Sequence, residues 1–161
     1  MSLSDEVGQA ATRLPYAGTV ADRLDVADAV TTFHRCADDG DEAGMRAVLA
    51  ERVVTVRDGT EPRQRLRDEV VAELAEQAAA GPVQRLVAGH LVEVVGDTAV
   101  CTAQAIVVRV PTGGPPAASG EVLRIELVRA GPGWAIVRQE SSQRWSWRGG
   151  DRSGPAEGVS S

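Results

Sequence analysis

Apolar positions in the first third of the chain recur with the spacing of a helix. Four of them follow one another at intervals of four, three and four residues: Val26, Val30, Phe33 and Ala37. This spacing puts them on one face of an amphipathic helix. Thr19 and Asp22 are spaced as a capping box at its start, and Gly40 supplies the left-handed residue that ends helices. The pattern therefore predicts a first helix from Thr19 to about Asp39.

Two more helices and a short strand are predicted before the midpoint. Asp41 is placed to cap a short helix that runs through Leu49, and residues 53–56 form a β-branched strand. A third helix is predicted from Thr60 to about Ala80. Its apolar positions again have helical spacing: Leu66, Val70, Val71 and Leu74.

The second half of the chain is strand-like. Four long segments are separated by turns rich in Gly and Pro: residues 82–95, 99–110, 121–129 and 134–147. Hairpin connections make these strands antiparallel, and the helices are the only elements able to cover one face of the sheet. The predicted fold class is α+β, with a cone-shaped, curved antiparallel sheet packed on three N-terminal helices around an interior pocket.

The domain is expected to span residues 19–148. Residues 1–18 show little periodicity and are predicted to form an N-terminal arm that docks through Leu14 and Tyr16. Residues 149–161 are mostly Gly, Ser, Pro and charged, which predicts a disordered C-terminal tail.

Composition narrows the possible partners. The net charge is −6, which argues against nucleic acid as a partner. All 17 basic residues are Arg, a bias typical of a GC-rich bacterial genome. No apolar run approaches the roughly 20 residues of a membrane helix, and the acidic N-terminus lacks a signal pattern. Cys36 and Cys101 are far apart, which favours two reduced, buried thiols. We expect a cytoplasmic protein.

The best candidates for chemistry lie at the end of the first helix. His34 and Asp38 are four residues apart and can share a helix face, where they would form an acid–base dyad. The alternative is an ordinary surface pair. His90 has the strand parity of Leu86 and Val92, so it is either a pocket base or a core histidine. Asp38, His34 and His90 are the predicted catalytic residues.

Three further residues are predicted to bind the ligand. Phe33 would form a wall of the pocket, Arg85 would bind a carboxylate or polarise a carbonyl, and Trp145 would cap the pocket or pack in a dimer. Each also has a structural alternative in the core or in solvent. Neither a metal-ligand spacing nor a phosphate-binding Gly-rich loop is present, so no metal or cofactor is predicted.

Several segments together resemble the SnoaL-like family of the nuclear-transport-factor-2-like superfamily over roughly residues 20–147. They are Asp38-Asp39-Gly40-Asp41, the stretch 87–99 from Val87 to Ala99, and Gly133-Trp134-Ala135-Ile136. The family includes polyketide cyclases, dehydratases, isomerases and the small subunits of ring-hydroxylating dioxygenases. Where members are enzymes, an Asp near the end of helix 1 and a His on the first long strand often act as general acid and base.

The resemblance carries over unevenly to this chain. Asp38 matches the family Asp, whereas Arg85 stands at the usual His position and Gly89 at a frequent Asn position. It implies an enzyme that catalyses cofactor-independent cyclisation, dehydration or isomerisation of an apolar, carbonyl-bearing, polyketide-like substrate. The alternatives are a non-catalytic ligand-binding or scaffolding module and an oxygenase small subunit. The resemblance also implies a homodimer formed through the exposed sheet face.

Overall fold

A computed structural model describes residues 18–150. The helices are α1 (Val20–Asp39), α2 (Glu42–Val48) and α3 (Arg67–Ala79). The strands are β1 (Leu49–Arg57), β2 (Arg63–Leu66), β3 (Val83–Val95), β4 (Thr98–Arg109), β5 (Ala117–Ala130) and β6 (Gly133–Arg148). The predicted N-terminal arm and most of the predicted C-terminal tail lie outside the described residues.

The six strands form one open sheet in the order β2-β1-β6-β5-β4-β3. Strands β3 to β6 form an antiparallel meander, as the hairpin turns predicted. Strand β1 pairs parallel with β6, which makes the sheet mixed and corrects the fully antiparallel arrangement expected from sequence. The α+β class and the packing of the helices on the sheet are confirmed.

Helix α1 packs across the sheet and contacts β3, β4 and β6. It begins with the predicted capping box, in which the Thr19 hydroxyl accepts from the Asp22 N–H at 3.1 Å and the Asp22 carboxylate accepts from the Thr19 N–H at 3.0 Å. It ends at Gly40, whose φ of 68° is left-handed. The predicted apolar stripe is buried, so local signals fix this helix at both ends and on its inner face.

The third predicted helix is wrong over its first seven residues, since α3 does not begin at Thr60. Residues Arg63–Leu66 form β2, which pairs antiparallel with β1, and α3 begins only at Arg67. The carboxylate of Glu69 accepts from the Leu66 N–H at 3.0 Å and so caps the helix there. This shift matters for the site, because it places Arg65 on a sheet strand beside α3.

The hydrophobic core lies between the helices and the sheet. Side chains from α1, α2, β1 and β6 are among those with no measurable exposure there: Val26, Val30, Met45, Val53 and Ile136. Toward the C-terminal end of α1 the interior opens into a cavity. None of the described helices is long and apolar enough to cross a membrane.

Candidate active site

A cavity of about 360 Å³ lies between the C-terminal half of α1, helix α3 and the inner face of the sheet. This volume suits a small organic ligand. Its apolar lining is Phe33, Ala37, Val56, Val70, Leu74, Leu123 and Ile125. Its lining also includes charged and polar residues from eight elements, among them His34, Arg57, Arg65, Glu73, Gln77, Arg85, Arg109, Glu121 and Gln139. The predicted pocket is therefore present, and its wall carries charged groups.

His34 enters the cavity from α1 because it follows Phe33 on the buried side of the helix. The two rings pack edge to face, with centroids 5.1 Å apart. Only 8 % of His34 is exposed, and its Nδ1 is buried without a hydrogen-bond partner among the described residues. A buried polar atom of this kind costs free energy unless a ligand or water satisfies it.

Burial lowers the pKa of His34 from 6.5 to about 3, and the positive charges of Arg85 and His90 add to the effect. The imidazole is therefore neutral across the physiological range. A neutral imidazole carries one N–H donor and one acceptor, so it can polarise an oxygen without bringing a charge into the cavity. No hydrogen bond joins His34 to Asp38 within the described chain.

Asp38 instead forms an ion pair with Arg85 of β3. Its Oδ2 accepts from the Arg85 backbone N–H at 2.6 Å, and its Oδ1 accepts from the Arg85 guanidinium. The side chains are only 11 % and 13 % exposed, respectively. Arg85 lines the cavity, whereas Asp38 stands behind it. The carboxylate thus fixes the position of the guanidinium, as a hydrogen-bonded charge pair does.

A bulge in β3 explains why Arg85 faces inward. Gly89 has a φ of 67°, and the pairing of β3 with β4 shifts between Ala88 and Leu91. The extra residue reverses the alternation of the strand, so Arg85 and His90 both face the helices. The sequence had placed His90 on one face with Leu86; this is wrong, because Leu86 lies on the far side and is 60 % exposed.

His90 does not line the cavity. Its Nε2 lies 3.3 Å from the hydroxyl of Thr31, one turn before His34 on α1. Phe33 does line the cavity, as expected. Trp145 does not: it is 47 % exposed, and its indole covers Gly120 on the outer face of the sheet. Of the six predicted site residues, the structure brings Phe33, His34 and Arg85 together in the cavity wall.

A charged cluster at the side of the cavity was not predicted from the sequence. The carboxylate of Glu73 on α3 accepts from Arg57 at 2.7 Å, from Arg65, and from Gln77 at 3.3 Å. Burial alone would raise the pKa of Glu73, but the two guanidiniums outweigh it and lower the pKa. The cluster escaped prediction because residues 63–66 were assigned to a helix, which hid the position of Arg65.

The sheet contributes further polar residues that sequence reasoning missed, among them Arg109, Glu121 and Gln139. Glu121 accepts from the Ser119 hydroxyl at 3.1 Å. Gln139 has a buried Nε2 without a partner among the described residues. Strand parity could have found Arg109 and Glu121, since each continues an inward-facing apolar row, with Val107 and with Leu123.

A metal site is not evident in residues 18–150, where no three His, Cys, Asp or Glu side chains are grouped to hold an ion. The arrangement at the cavity is instead a neutral imidazole, a fixed guanidinium and the carboxylate of Glu121, which forms no ion pair with a described arginine. Such groups can orient a polar ligand, stabilise negative charge on it and move a proton.

A known protein family and solved structures with the same architecture match this chain. The sequence profile of the SnoaL-like domain family matches residues 18–140. No curated protein sequence matches significantly. The Kfla4162 protein from Kribbella flavida superposes with a TM-score of 0.73 at 17 % identity, covering 79 % of this chain and 93 % of that one.

Two other solved structures are described as candidate dehydratases. One, from Streptomyces avermitilis and of the nuclear-transport-factor-2-like family, has a TM-score of 0.67 and 23 % identity, covering 78 % of this chain and 97 % of that one. The other, described as a candidate scytalone dehydratase from Novosphingobium aromaticivorans, has a TM-score of 0.72 and 12 % identity over 88 % and 97 % of the two chains. At these identities the likeness shows the fold. With the profile match over most of its length, the chain belongs to the SnoaL-like domain family.

Proposed function

We propose that this protein is a cofactor-independent enzyme that dehydrates, isomerises or cyclises a small carbonyl-bearing substrate by general acid–base catalysis. One observation carries the proposal: a single cavity presents neutral His34, the fixed guanidinium of Arg85 and the carboxylate of Glu121 beside an apolar wall. This is the acid–base chemistry expected from the sequence, but the proton is moved by Glu121 instead of Asp38.

His34 and Arg85 would act on the carbonyl oxygen. When a proton leaves the carbon next to a carbonyl, negative charge develops on that oxygen, and preorganised donors lower the barrier. Arg85 supplies a cation held from behind by Asp38, and the imidazole supplies a neutral N–H. Asp38 is thereby a positioning residue in this proposal. His90 has no part in it, because its ring faces Thr31.

Glu121 would move the proton. Within the described chain no arginine lies within ion-pair distance of it, whereas Glu73 is held by two arginines. In a dehydration, Glu121 would take the α-proton, and the electron pair would move onto the carbonyl oxygen. The carbonyl then re-forms, the β-hydroxyl leaves with the same proton, and one water is released. Returning the proton to another carbon instead gives isomerisation, and attack of the enolate on a second carbonyl gives cyclisation.

The comparisons support the reaction class without identifying the substrate. Two proteins with this fold are described as candidate dehydratases. The cavity volume of about 360 Å³ is near the lower end for small-molecule sites, which favours a substrate of one or two rings.

The test is exchange of α-protons with solvent. The protein in D₂O would be incubated with a panel of cyclic ketones, β-hydroxy ketones and β-diketones, and the loss of each α-proton signal would be followed by NMR. We expect at least one compound to exchange faster than in buffer. Glu121→Gln should remove the acceleration, by about 100-fold or more for a general base. Glu126→Gln, on the outer face of the same strand, should leave it unchanged.

A second function, ligand binding without catalysis, is favoured by one observation: the family Asp position is already occupied by an ion pair with Arg85. In that case panel compounds would bind and shift amide resonances around Phe33 and Leu123. Their α-protons would then exchange no faster than in buffer, which would rule out the acid–base proposal for them.

We also propose that two copies pair through the outer face of the sheet. Residues in register across β3, β4 and β6 leave an apolar surface exposed there: Leu86, Ile106, Val108, Trp145 and Trp147. Exposed patches of this kind mark interaction sites. Ile106→Glu should convert a dimer to a monomer in sedimentation velocity. A wild-type protein that sediments as a monomer would contradict the proposal.

A further inference from the structure

Arg109 differs from every other arginine that lines the cavity. Arg57 and Arg65 share Glu73, and Arg85 is held by Asp38. Arg109 has no carboxylate within 4 Å in the described part of the chain, although it is half-buried. It lies at the end of β4, in the inward-facing row of that strand, and lines the cavity.

The guanidinium of Arg109 is repelled by that of Arg85. Arg85 pairs in register with Val107, two residues before Arg109, so the two guanidiniums come from diagonal positions on the same face of the sheet. Burial lowers the pKa of Arg109, repulsion from Arg85 lowers it further, and Glu121 only partly opposes this. An anion bound here would relieve both the repulsion and the loss of hydration.

Glu121 does not satisfy Arg109 itself. Its Oε1 accepts from Ser119 at 3.1 Å, and no ion pair within 4 Å joins it to a described arginine. Two polar atoms on the same wall are also buried without a hydrogen-bond partner among the described residues: His34 Nδ1 and Gln139 Nε2. The wall therefore holds a cation and two polar atoms that no group in residues 18–150 pairs with.

We propose that Arg109 binds a carboxylate of the ligand, so that the substrate class is small organic acids that carry a carbonyl and an apolar body. The guanidinium matches a carboxylate through two parallel hydrogen bonds. The apolar body would lie against Phe33, Leu123 and Ile125, which line the same cavity. The inference rests on the proposed function in that it names the ligand of the same site.

Binding measurements with acids and their uncharged amides test the inference. Benzoate and phenylacetate would be titrated against benzamide and phenylacetamide by NMR on the wild-type protein. These pairs match in shape and differ in charge. We expect each acid to bind about tenfold more tightly than its amide, since a charged hydrogen bond contributes roughly 1.5–3 kcal/mol. Resonance shifts should centre on Arg109 and Leu123.

Variants assign the preference to one residue. Arg109→Met should bind acid and amide with equal affinity. Arg124→Met, on the outer face of β5, should keep the wild-type preference. Arg109→Lys keeps the charge but loses the paired donors, so it should retain only part of the preference. Thermal unfolding of each variant shows that the fold is intact.

Three results would overturn the inference: amides that bind wild type as tightly as acids, acids that do not bind at all, or a preference that survives in Arg109→Met. Inorganic phosphate competing as well as benzoate would show a general anion site and would overturn the assignment to organic acids. The acid preference should persist in Glu121→Gln, where the proposed proton transfer is lost. Failure of the reaction and failure of the carboxylate site therefore give different results.

Discussion

The two ends of α1 are tied to the sheet by the same device, yet only one end borders a cavity. At the N-terminal end, Asp22 pairs with Arg129 of β5 at 3.0 Å. At the C-terminal end, Asp38 pairs with Arg85 of β3. Both carboxylates are largely buried and both join elements far apart in sequence. The ion pair alone therefore does not mark a functional site.

What differs is whether polar groups without a hydrogen-bond partner line a cavity. Asp22 also closes the capping box with Thr19, and Arg129 additionally binds Asp97 at 3.1 Å and stacks over Trp134 at 4.5 Å. The hydrogen bond from the Thr19 backbone, and then Arg129, lower the pKa of Asp22. The charged groups at the N-terminal end are thus all paired, although the indole Nε1 of Trp134 is buried there without a partner among the described residues. This connectivity is typical of a structural element.

The C-terminal end is connected on one side only. Arg85 is held by Asp38, but the wall beyond it leaves His34 Nδ1 and Gln139 Nε2 without partners among residues 18–150. Protein interiors rarely leave such atoms unpaired. Unpaired atoms that line a cavity, rather than the ion pair, distinguish the site from the scaffold.

The largest expected effect comes from breaking the pair at the cavity. Asp38→Ala leaves the Arg85 guanidinium buried without its partner, which should lower the free energy of unfolding by about 3–5 kcal/mol in urea denaturation. Asp22→Ala should cost less, because Arg129 keeps Asp97 and Trp134.

A double variant checks the cause of that loss. Asp38→Ala with Arg85→Met removes both charges and should recover part of the stability lost in Asp38→Ala alone. If the double variant is less stable than Asp38→Ala, the uncompensated charge is not what destabilises the protein.

A smaller effect is a pH dependence of stability that arises at the cavity end of α1, where His34 lies. Because the pKa of His34 falls to about 3 on folding, the unfolded chain binds a proton between pH 6.5 and 3 that the folded protein does not. Stability from this group is therefore complete above pH 6.5 and falls by up to about 1.4 kcal/mol per pH unit below it. In His34→Phe, the free energy of unfolding should therefore fall less steeply between pH 6.5 and 5 than it does in the wild-type protein.

The ring itself can be observed to check this sign. Nitrogen chemical shifts of the His34 imidazole should show the neutral form at pH 5. An imidazolium at that pH would mean that burial does not control the titration, and the different stability profile of His34→Phe would then need another cause.

The smallest effect is expected at the N-terminal cap. Thr19→Ala removes the side-chain acceptor for the Asp22 N–H and should lower the stability by about 1 kcal/mol, whereas Thr19→Ser should restore it. Because this end lies away from the cavity, acid binding measured by NMR should be unchanged in both variants. Weaker binding in Thr19→Ala would show that the two ends are coupled.

Local sequence signals predicted the helix that carries the site, and non-local contacts decided the site itself. The capping box and Gly40 located α1, and its apolar stripe gave the buried face. The spacing of His34 and Asp38 suggested a dyad. The actual partner of Asp38 is 47 residues away, on a strand whose orientation no short pattern revealed.

The errors have the same physical origin. Residues 63–66 fall within the helix predicted from Thr60, but their pairing with β1 makes them a strand. The bulge at Gly89 is likewise a property of the paired strands, and it overturned the parity argument for His90. Arg109 and Glu121 could have been found by extending the apolar alternation of β4 and β5 to their polar ends.

The bulge at Gly89 divides β3 into two segments whose register against β4 can change independently. Before the bulge, the inward-facing Arg85 lines the cavity, and after it the inward-facing Val94 lies in the core. A one-residue insertion or deletion before the bulge would replace Arg85 in the cavity wall by Gln84 or Leu86, while the pairing of residues 91–95 with β4 stays in register. A lineage could thereby exchange the guanidinium that lines the pocket in one step, without repacking the hydrophobic interior on which folding depends.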